Sequence, residues 1–386
     1  MKRTIGIAAA AAFCGLVGAF AEAATVVEVT GVGAEKVSVS VNVANKAYAS
    51  CLKRNLEISG LFTVAASGSV KVSGTAGGTV TAVDSSTGRA VSNSDPATDD
   101  KSARMAARAL ADAMCEAFGR QKGFACDKIA FVNRKGSDNA ELCMCYPDGF
   151  DIRQLTSDAK ASVGPRWKDA STLFYTGFLK AGPQVYELDV NSGRRRLRWS
   201  FKGLTTGAAV APDGNRVAII LSFQGNPELY VIDMNQNKWQ RMTVTPSASE
   251  GQPAWSPDGR RIVYVSDETR HPQLYVIDVA TKAKRRLTSR GGQNVDPDWG
   301  PDGRIAYITK RGGAQVAVMD PAAGESSARL VTDPGNWEHP SWSRNGRHLS
   351  ASRDKALFIV DSQDGGDKPR QVFSANGNWI TPSWRR

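Results

Sequence analysis

The sequence predicts an all-β six-bladed β-propeller over residues 125–386, preceded by a small α+β domain. Three observations lead there. A Pro/Trp/Asp-Gly phrase recurs about every 43 residues, each period holds four short β-rich runs between turn residues, and the first and last periods are incomplete in complementary ways.

In chain order, Lys2 and Arg3 precede an apolar run, Ile5 to Phe20, which is too short and too rich in Ala and Gly for a stable membrane span. It closes on Ala21-Glu22-Ala23. This is the pattern of a secretory signal peptide over 1–23, with Ala24 as the mature start and a retained N-terminal anchor as the alternative. Phe13 stands before Cys14 where a lipoprotein signal carries a small residue, so no lipid anchor is read. No other apolar stretch approaches bilayer length. The mature chain is expected to be exported, monomeric and without a membrane span.

Residues 24–124 follow mixed periodicity. Val37, Val39, Val41 and Val43 alternate with polar residues, which predicts a half-buried strand. Tyr48 to Glu57 reads as a helix stopped by Ser59-Gly60, and Leu61 to Val64 as a strand. Val70 to Val83 reads as two strands joined at Gly77-Gly78. Asp84 to Asp100, rich in Ser, Asp, Thr and Asn, is expected to be a mobile loop. Lys101 to Phe118 is expected to be a helix with Ala106, Leu110, Ala113 and Ala117 along its buried face.

The repeat governs the rest. PAWSPDG ends at Gly259, PDWGPDG at Gly303 and PSWSRNG at Gly346, with degenerate copies ending at Gly214 and starting at Pro165. The aromatic positions are Trp167, Val210, Trp255, Trp299, Trp342 and Trp384, spaced by 43, 45, 44, 43 and 42 residues. In the copy from Pro253, the expected strands are Pro253–Ser256, Ile262–Val265, Leu274–Ile277 and Arg286–Thr288. Residues 129–156 supply strands two to four of a blade without an inner strand, and Thr381 to Trp384 supply an inner strand with no blade to follow. Joining them closes six blades and covers both sheet edges. The repeated Trp reads most simply as packing between blades and the repeated Asp-Gly as a turn.

Cysteine and charge bound the function classes. Five cysteines remain after the signal, and the odd count leaves at least one thiol free. Cys143 and Cys145 share a strand face and are poorly placed to bond each other, so Cys115 with Cys126 is the expected pair if any forms. C-x-C without a second pair and only three scattered histidines, His271, His339 and His348, predict no metal site, and the Asp-Gly turns lack a full set of calcium ligands. No cofactor is expected. The net charge of +11 raises nucleic acid as a partner, but export and the lack of a groove-reading motif argue against it. The basic runs Arg194–Arg196 and Lys284–Arg286 read as solvated faces, with attraction to anionic envelope surfaces as the functional alternative.

The order of these parts resembles the TolB family of periplasmic propeller proteins of the Tol-Pal system. Leu56-Glu57-Ile58-Ser59-Gly60-Leu61-Phe62 is similar to the family's L-x-x-S-G-x-F element. The run from Ala109 through Gly123-Phe124 to Val132 is similar to its helix, junction and first propeller strand, and Pro147-Asp148-Gly149 to its turn before an outer strand. The departures are a short stretch between Val64 and Lys101, Val210 in place of an aromatic, and the cysteines. The resemblance implies a protein-binding scaffold for outer-membrane integrity and envelope constriction at division. It implies that a peptidoglycan-associated lipoprotein (Pal-like) docks at the channel mouth on loops leading into the inner strands, which carry Thr206, Glu250, Gln252, Asn294, Asp296, Glu338, His339 and Thr381. It further implies that Thr25, Val26, Val27, Glu28 and Val29 pair as a strand with a TolA-like inner-membrane-anchored protein.

Two other classes stand beside this reading. A propeller hydrolase or lyase would need G-x-S-x-G in a following domain or a cluster of His, Arg and carboxylates, and neither is visible, so no catalytic residue is assigned. A propeller binding glycan or peptidoglycan fragments would use Trp337 and Trp379, each beside an Asn in a G-N-W phrase, to stack on sugar faces.

Overall fold

The structure is a computed structural model describing residues 36–385 apart from 97, 181, 311, 364–367 and 374–376. The signal segment 1–23 and Thr25 to Val29 lie outside the described residues.

The α+β layer begins with β1 (Val37–Val43), whose alternating valines put Val39 and Val43 into the core. Helix α1 (Lys46–Ile58) starts where the Asn45 side chain accepts the backbone N–H groups of Ala47 and Tyr48. Then come β2 (Phe62–Val64), β3 (Val70–Gly74), β4 (Thr79–Asp84) and β5 (Ala90–Ser94), giving a five-stranded sheet in the order β2-β1-β3-β4-β5. The stretch 84–100 therefore holds a strand, not only a loop. Asp84 accepts the Ser86 N–H at 2.9 Å and forms the hairpin turn. β5 is an edge strand with Ser92 and Ser94 turned to solvent, while Asn93 turns inward to accept from the Tyr48 hydroxyl and donate to the Ala106 carbonyl of the following helix. Polar composition marks a loop and an edge strand alike, which is why the sequence did not separate them. Helix α2 (Asp100–Ala117), capped by Asp99, buries Ala103, Ala107, Leu110, Ala111, Met114 and Ala117. Leu110 and Ala117 are as expected, whereas Ala106 and Ala113 are only partly buried. Alanines occur all round this helix, so apolar spacing alone left its rotation open.

The ring follows. β6 (Ile129–Arg134), β7 (Ala140–Cys145) and β8 (Arg153–Gln154) are strands two to four of blade 1. Blade 2 is β9 (Ser162–Trp167), β10 (Thr172–Lys180), β11 (Gly182–Asp189) and β12 (Arg195–Trp199). Blade 3 is β13 (Thr205–Val210), β14 (Arg216–Leu221), β15 (Glu228–Asp233) and β16 (Lys238–Arg241). Blade 4 is β17 (Glu250–Trp255), β18 (Arg261–Ser266), β19 (Gln273–Asp278) and β20 (Lys284–Arg286). Blade 5 is β21 (Gln293–Trp299), β22 (Ile305–Lys310), β23 (Ala314–Met319) and β24 (Arg329–Leu330). Blade 6 is β25 (Trp337–Trp342), β26 (His348–Arg353), β27 (Ala356–Asp361) and β28 (Arg370–Gln371). The last strand, β29 (Trp379–Trp384), pairs antiparallel with β6, Trp384 opposite Ile129, and completes blade 1. The inner strands of blades 1, 2, 4 and 6 begin three residues before the Pro of their phrase, and that of blade 5 begins four residues before it. The fourth strand of blade 4 ends at Arg286, because Thr288 turns inward to bond the Leu274 N–H at 2.9 Å.

The repeated Trp packs between blades. The Trp255 indole N–H donates to the Ala209 carbonyl and that of Trp167 to the Ser383 carbonyl, both at 3.0 Å across the blade boundary. Arg216, Arg261 and Arg304 each lie over the Trp of the following blade, at 4.9, 5.1 and 5.1 Å. Such contacts contribute roughly 0.5–1 kcal/mol each. At Trp384 the partner is Phe124 instead, edge-on at 5.4 Å. The Asp-Gly phrase is a turn whose carboxylate is consumed locally, as where Asp213 accepts the Asn215 N–H at 2.8 Å.

The α+β layer packs on the ring at the end where the third strand of each blade turns into the fourth. Arg108 of α2 is fully buried and forks onto Asp148 at 2.7 and 3.0 Å, with Asp151 at 2.8 Å. Arg54 donates to the carbonyls of Asp148, Gln371 and Val372. All five described cysteines are free thiols. The expected Cys115–Cys126 bond is not formed: the Cys115 thiol meets Ser59, whereas the Cys126 thiol meets Asp112, which also accepts the Ala125 and Cys126 N–H groups at 2.7 and 3.2 Å. Burial, reinforced by Asp112, pushes both thiols up to about 12. Cys143 and Cys145 do share one buried face.

Candidate functional site

The six inner strands share a local device that the aligned sequence explains. Three residues before each Trp or Val stand Gly164, Gly207, Gln252, Asp296, His339 and Thr381, all with φ between +49° and +71°. The next residue is Pro in five of the six, and proline cannot donate to a sheet ladder. The register of every inner strand slips at this point, a β-bulge repeated around the ring. A bulge frees backbone N–H groups from the ladder, and at Asp296 and His339 the preceding blade supplies the acceptor.

Gln252 Oε1 accepts the Asp296 N–H at 2.9 Å, and Asp296 Oδ2 accepts the His339 N–H at 3.0 Å. Gln252 also donates from its amide nitrogen to Asp296, and His339 Nδ1 lies 3.1 Å from Asp296 Oδ1. The result is a side-chain chain across blades 4, 5 and 6. One layer deeper the pattern repeats: Asp298 accepts the Trp342 N–H at 2.8 Å and Ser341 Oγ accepts the Trp384 N–H at 3.0 Å. Burial raises the Asp296 carboxyl, but the charge and hydrogen bonds of His339, with Arg166, pull it below its ordinary value. Burial works against a charged His339, but Asp296 more than offsets this and raises the imidazole above 6.5. The two form an ion pair at the mouth, in a cavity of about 360 Å³ that Gln252, Lys310, Asn336 and Glu338 also line. A second cavity of about 410 Å³ lies further along the inner strands, lined by Arg166, Trp167, Asp298, Ser341 and Trp384 among others.

The eight expected mouth residues sit on the inner strands themselves, not on loops leading into them. They separate into three classes. Gln252, Asp296, His339 and Thr381 occupy the bulge. Thr206 and Glu338 stand one place earlier; Glu338 is exposed, while Thr206 is half-buried with its hydroxyl 3.0 Å from that of Thr176. Glu250 and Asn294 stand two places before the bulge residue and are buried in the blades. Glu250 accepts from Ser266 and Thr245, and Asn294 donates to Gln273 at 2.8 Å, so neither presents its side chain to solvent. Burial, then the charge of Glu228, pushes Glu250 up to about 7. Arg166, Asp298, Lys310 and Asn336 were missed. Stacking the six inner strands column by column would have revealed the first two, while Lys310 and Asn336 come from other positions.

Trp337 and Trp379 are buried, against Phe358 at 5.3 Å and Phe373 at 4.6 Å, so neither indole face is open for sugar stacking. Among the described residues no group of three or more His, Cys, Asp or Glu could hold a metal ion, and no helix is long and apolar enough to cross a membrane.

Residues 115–386 match the family described as the TolB β-propeller domain. The Tol-Pal system protein TolB of Gluconobacter oxydans is 31% identical over 260 residues, covering 66% of this chain and 57% of that protein. The chain thus spans little more than half the length of that relative. The Tol-Pal system protein TolB of Desulfosudis oleivorans is 29% identical over 117 residues, 30% of this chain and 26% of that one. Among solved structures, TolB from Acinetobacter baumannii superposes with a TM-score of 0.78 at 23% identity, over 91% of this chain and 96% of that chain, a likeness of fold.

Proposed function

The chain belongs to the TolB β-propeller family, and from that membership we propose that it is the periplasmic, non-enzymatic propeller of a Tol-Pal system. In this reading residues 1–23 are a cleaved signal peptide, 24–124 the N-terminal domain and 125–386 the ring. The channel mouth docks the peptidoglycan-associated lipoprotein, and Thr25 to Val29 add as a strand to a TolA-like protein. The scaffold so formed serves outer-membrane integrity and constriction at division.

The observation that carries the reading is the linked Gln252–Asp296–His339 chain, with exposed Glu338 beside it, at the mouth cavity. These groups stand on paired strands, are held by one another, and offer a partner charge and hydrogen bonds at little ordering cost. Calorimetric titration of the chain from Ala24 with the lipoprotein of the same organism tests it. The comparison variant carries Glu338→Ala and His339→Asn, since Asn tolerates the left-handed backbone at 339. Binding by the parent and a loss of about tenfold or more in the folded variant are expected. No binding by a folded parent, or equal binding by the variant, overturns the assignment.

A further inference from the structure

The mouth-side face of the ring is divided in character. Inner strands begin at this face, so the connections between second and third strands, and those from each outer strand to the next blade, also lie here. In blades 2 and 3 this face includes the end of β10, 178–180, and the connections 200–204, 222–227 and 242–249, and none of these stretches contains Asp or Glu. The corresponding turn of blade 4 opens with Asp267 and Glu268, and the mouth of blade 6 carries Glu338 and Asp354.

In place of carboxylates, blades 2 and 3 present aromatic and basic side chains. Phe201 stacks on Phe223 at 5.5 Å, and both meet Trp239, at 5.5 and 5.2 Å. Trp239 remains 46% exposed and Val244 74%. Of the six large exposed apolar side chains among the described residues, four (Phe178, Leu197, Trp239 and Val244) belong to blades 2 and 3 or to the connection just after them. The patch is continuous through structure: Gln184, in the hairpin after Phe178, donates to Ser200 Oγ at 2.7 Å beside Phe201. Lys180 and Lys202 are exposed within it, and among the described residues neither forms an ion pair. Arg196 flanks it on β12, its side chain 64% exposed and paired with Glu187 at 2.6 Å, so the lysines carry the patch's unpaired charge.

We propose that this aromatic and basic face of blades 2 and 3 seats the protein on an anionic phospholipid surface. Half-exposed Trp and Phe rings suit the headgroup boundary, where an apolar ring meets a wet edge, and unpaired lysines suit the phosphates. The net charge of +11 adds long-range attraction. An acidic protein partner would share the charge match, but the patch spreads over connections on the outside of two blades rather than lining a cavity, the form that meets a plane. The proposal is independent of which protein docks at Glu338 and His339.

Co-sedimentation of the chain from Ala24 with phosphatidylglycerol-containing vesicles, against pure phosphatidylcholine vesicles, tests it. The parent is expected to bind the anionic vesicles, less so as salt rises. Lys180→Gln with Lys202→Gln should weaken binding about fivefold per lysine, roughly 25-fold together, and Val244→Asp should weaken it as well. Both variants alter only exposed side chains, so the fold is retained, and Glu338→Ala should bind vesicles like the parent. Equal parent binding to both vesicle types overturns the proposal, as does undiminished binding by the lysine variant. Absence of binding to either overturns it too, and leaves the patch to a protein partner.

Discussion

Replacing Asp148 by Ala tests how the α+β layer is fastened to the ring. Asp148 lies in the Pro147-Asp148-Gly149 turn, and both it and Arg108 are fully buried side chains. Its Oδ2 accepts from Arg108 Nε at 2.7 Å, Asn55 at 2.9 Å and the Cys51 thiol at 3.2 Å. Its Oδ1 accepts from Arg108 Nη2 at 3.0 Å and the Phe150 N–H at 2.9 Å. Asp148→Ala leaves the guanidinium buried over the Tyr146 ring, at 3.8 Å, with only Asp151 as counter-charge. Breaking a buried pair from one side costs about 3–5 kcal/mol, chiefly because the surviving charge is stranded. Urea unfolding followed by circular dichroism reads this cost. The Arg108→Met/Asp148→Ala double variant should be more stable than the sum of the two single losses, because no charge is then stranded. A single-variant loss under about 1 kcal/mol, or strict additivity, would refute the argument.

Three further outcomes are expected. Imidazole titration by NMR should place His339 above 6.5 in the parent and lower in Asp296→Asn; an unchanged value would show that Asp296 does not hold the charge. The pair's contribution should therefore be lost as pH rises through the raised His339 value, and also as pH falls through the lowered Asp296 value. Glu250 is raised from 4.5 to about 7, so it destabilises the fold progressively as pH climbs between those values. Glu250→Gln should accordingly be more stable than the parent at pH ~8, by up to roughly 3 kcal/mol, and no more stable at pH ~4; thermal unfolding at the two pH values decides. Gly207→Ala, at φ 71° with its new Cβ 3.3 Å from Pro253, should cost about 1–2 kcal/mol in urea unfolding, while Gly251→Ala, with nothing within 4 Å, should be near neutral.

The ring was legible because a blade repeats its own physics. A Trp that packs between blades and an Asp that closes a turn return at a fixed spacing, and Thr381 to Trp384 could pair nowhere but with the strand at Ile129. The small layer was less so. β5 reads as polar loop because an edge strand can be polar on its open side, and the rotation of α2 follows from buried Arg108, whose partner Asp148 lies forty residues away. At the mouth, the sequence identified the bulge residues Gln252, Asp296, His339 and Thr381 but grouped them with Glu250 and Asn294. Facing inward or outward at the start of a strand is decided by the bulge, and a left-handed Gln, Asp, His or Thr leaves no mark as plain as a glycine.

In the proposed function a partner meets the bulge residues of blades 4 to 6, and amide hydrogen exchange, with and without the peptidoglycan-associated lipoprotein, measures that directly. Added protection should concentrate on residues 250–252, 294–296 and 337–339, with the α+β layer unchanged. Protection confined to that layer, or to the turns at the opposite end of the ring, would contradict it.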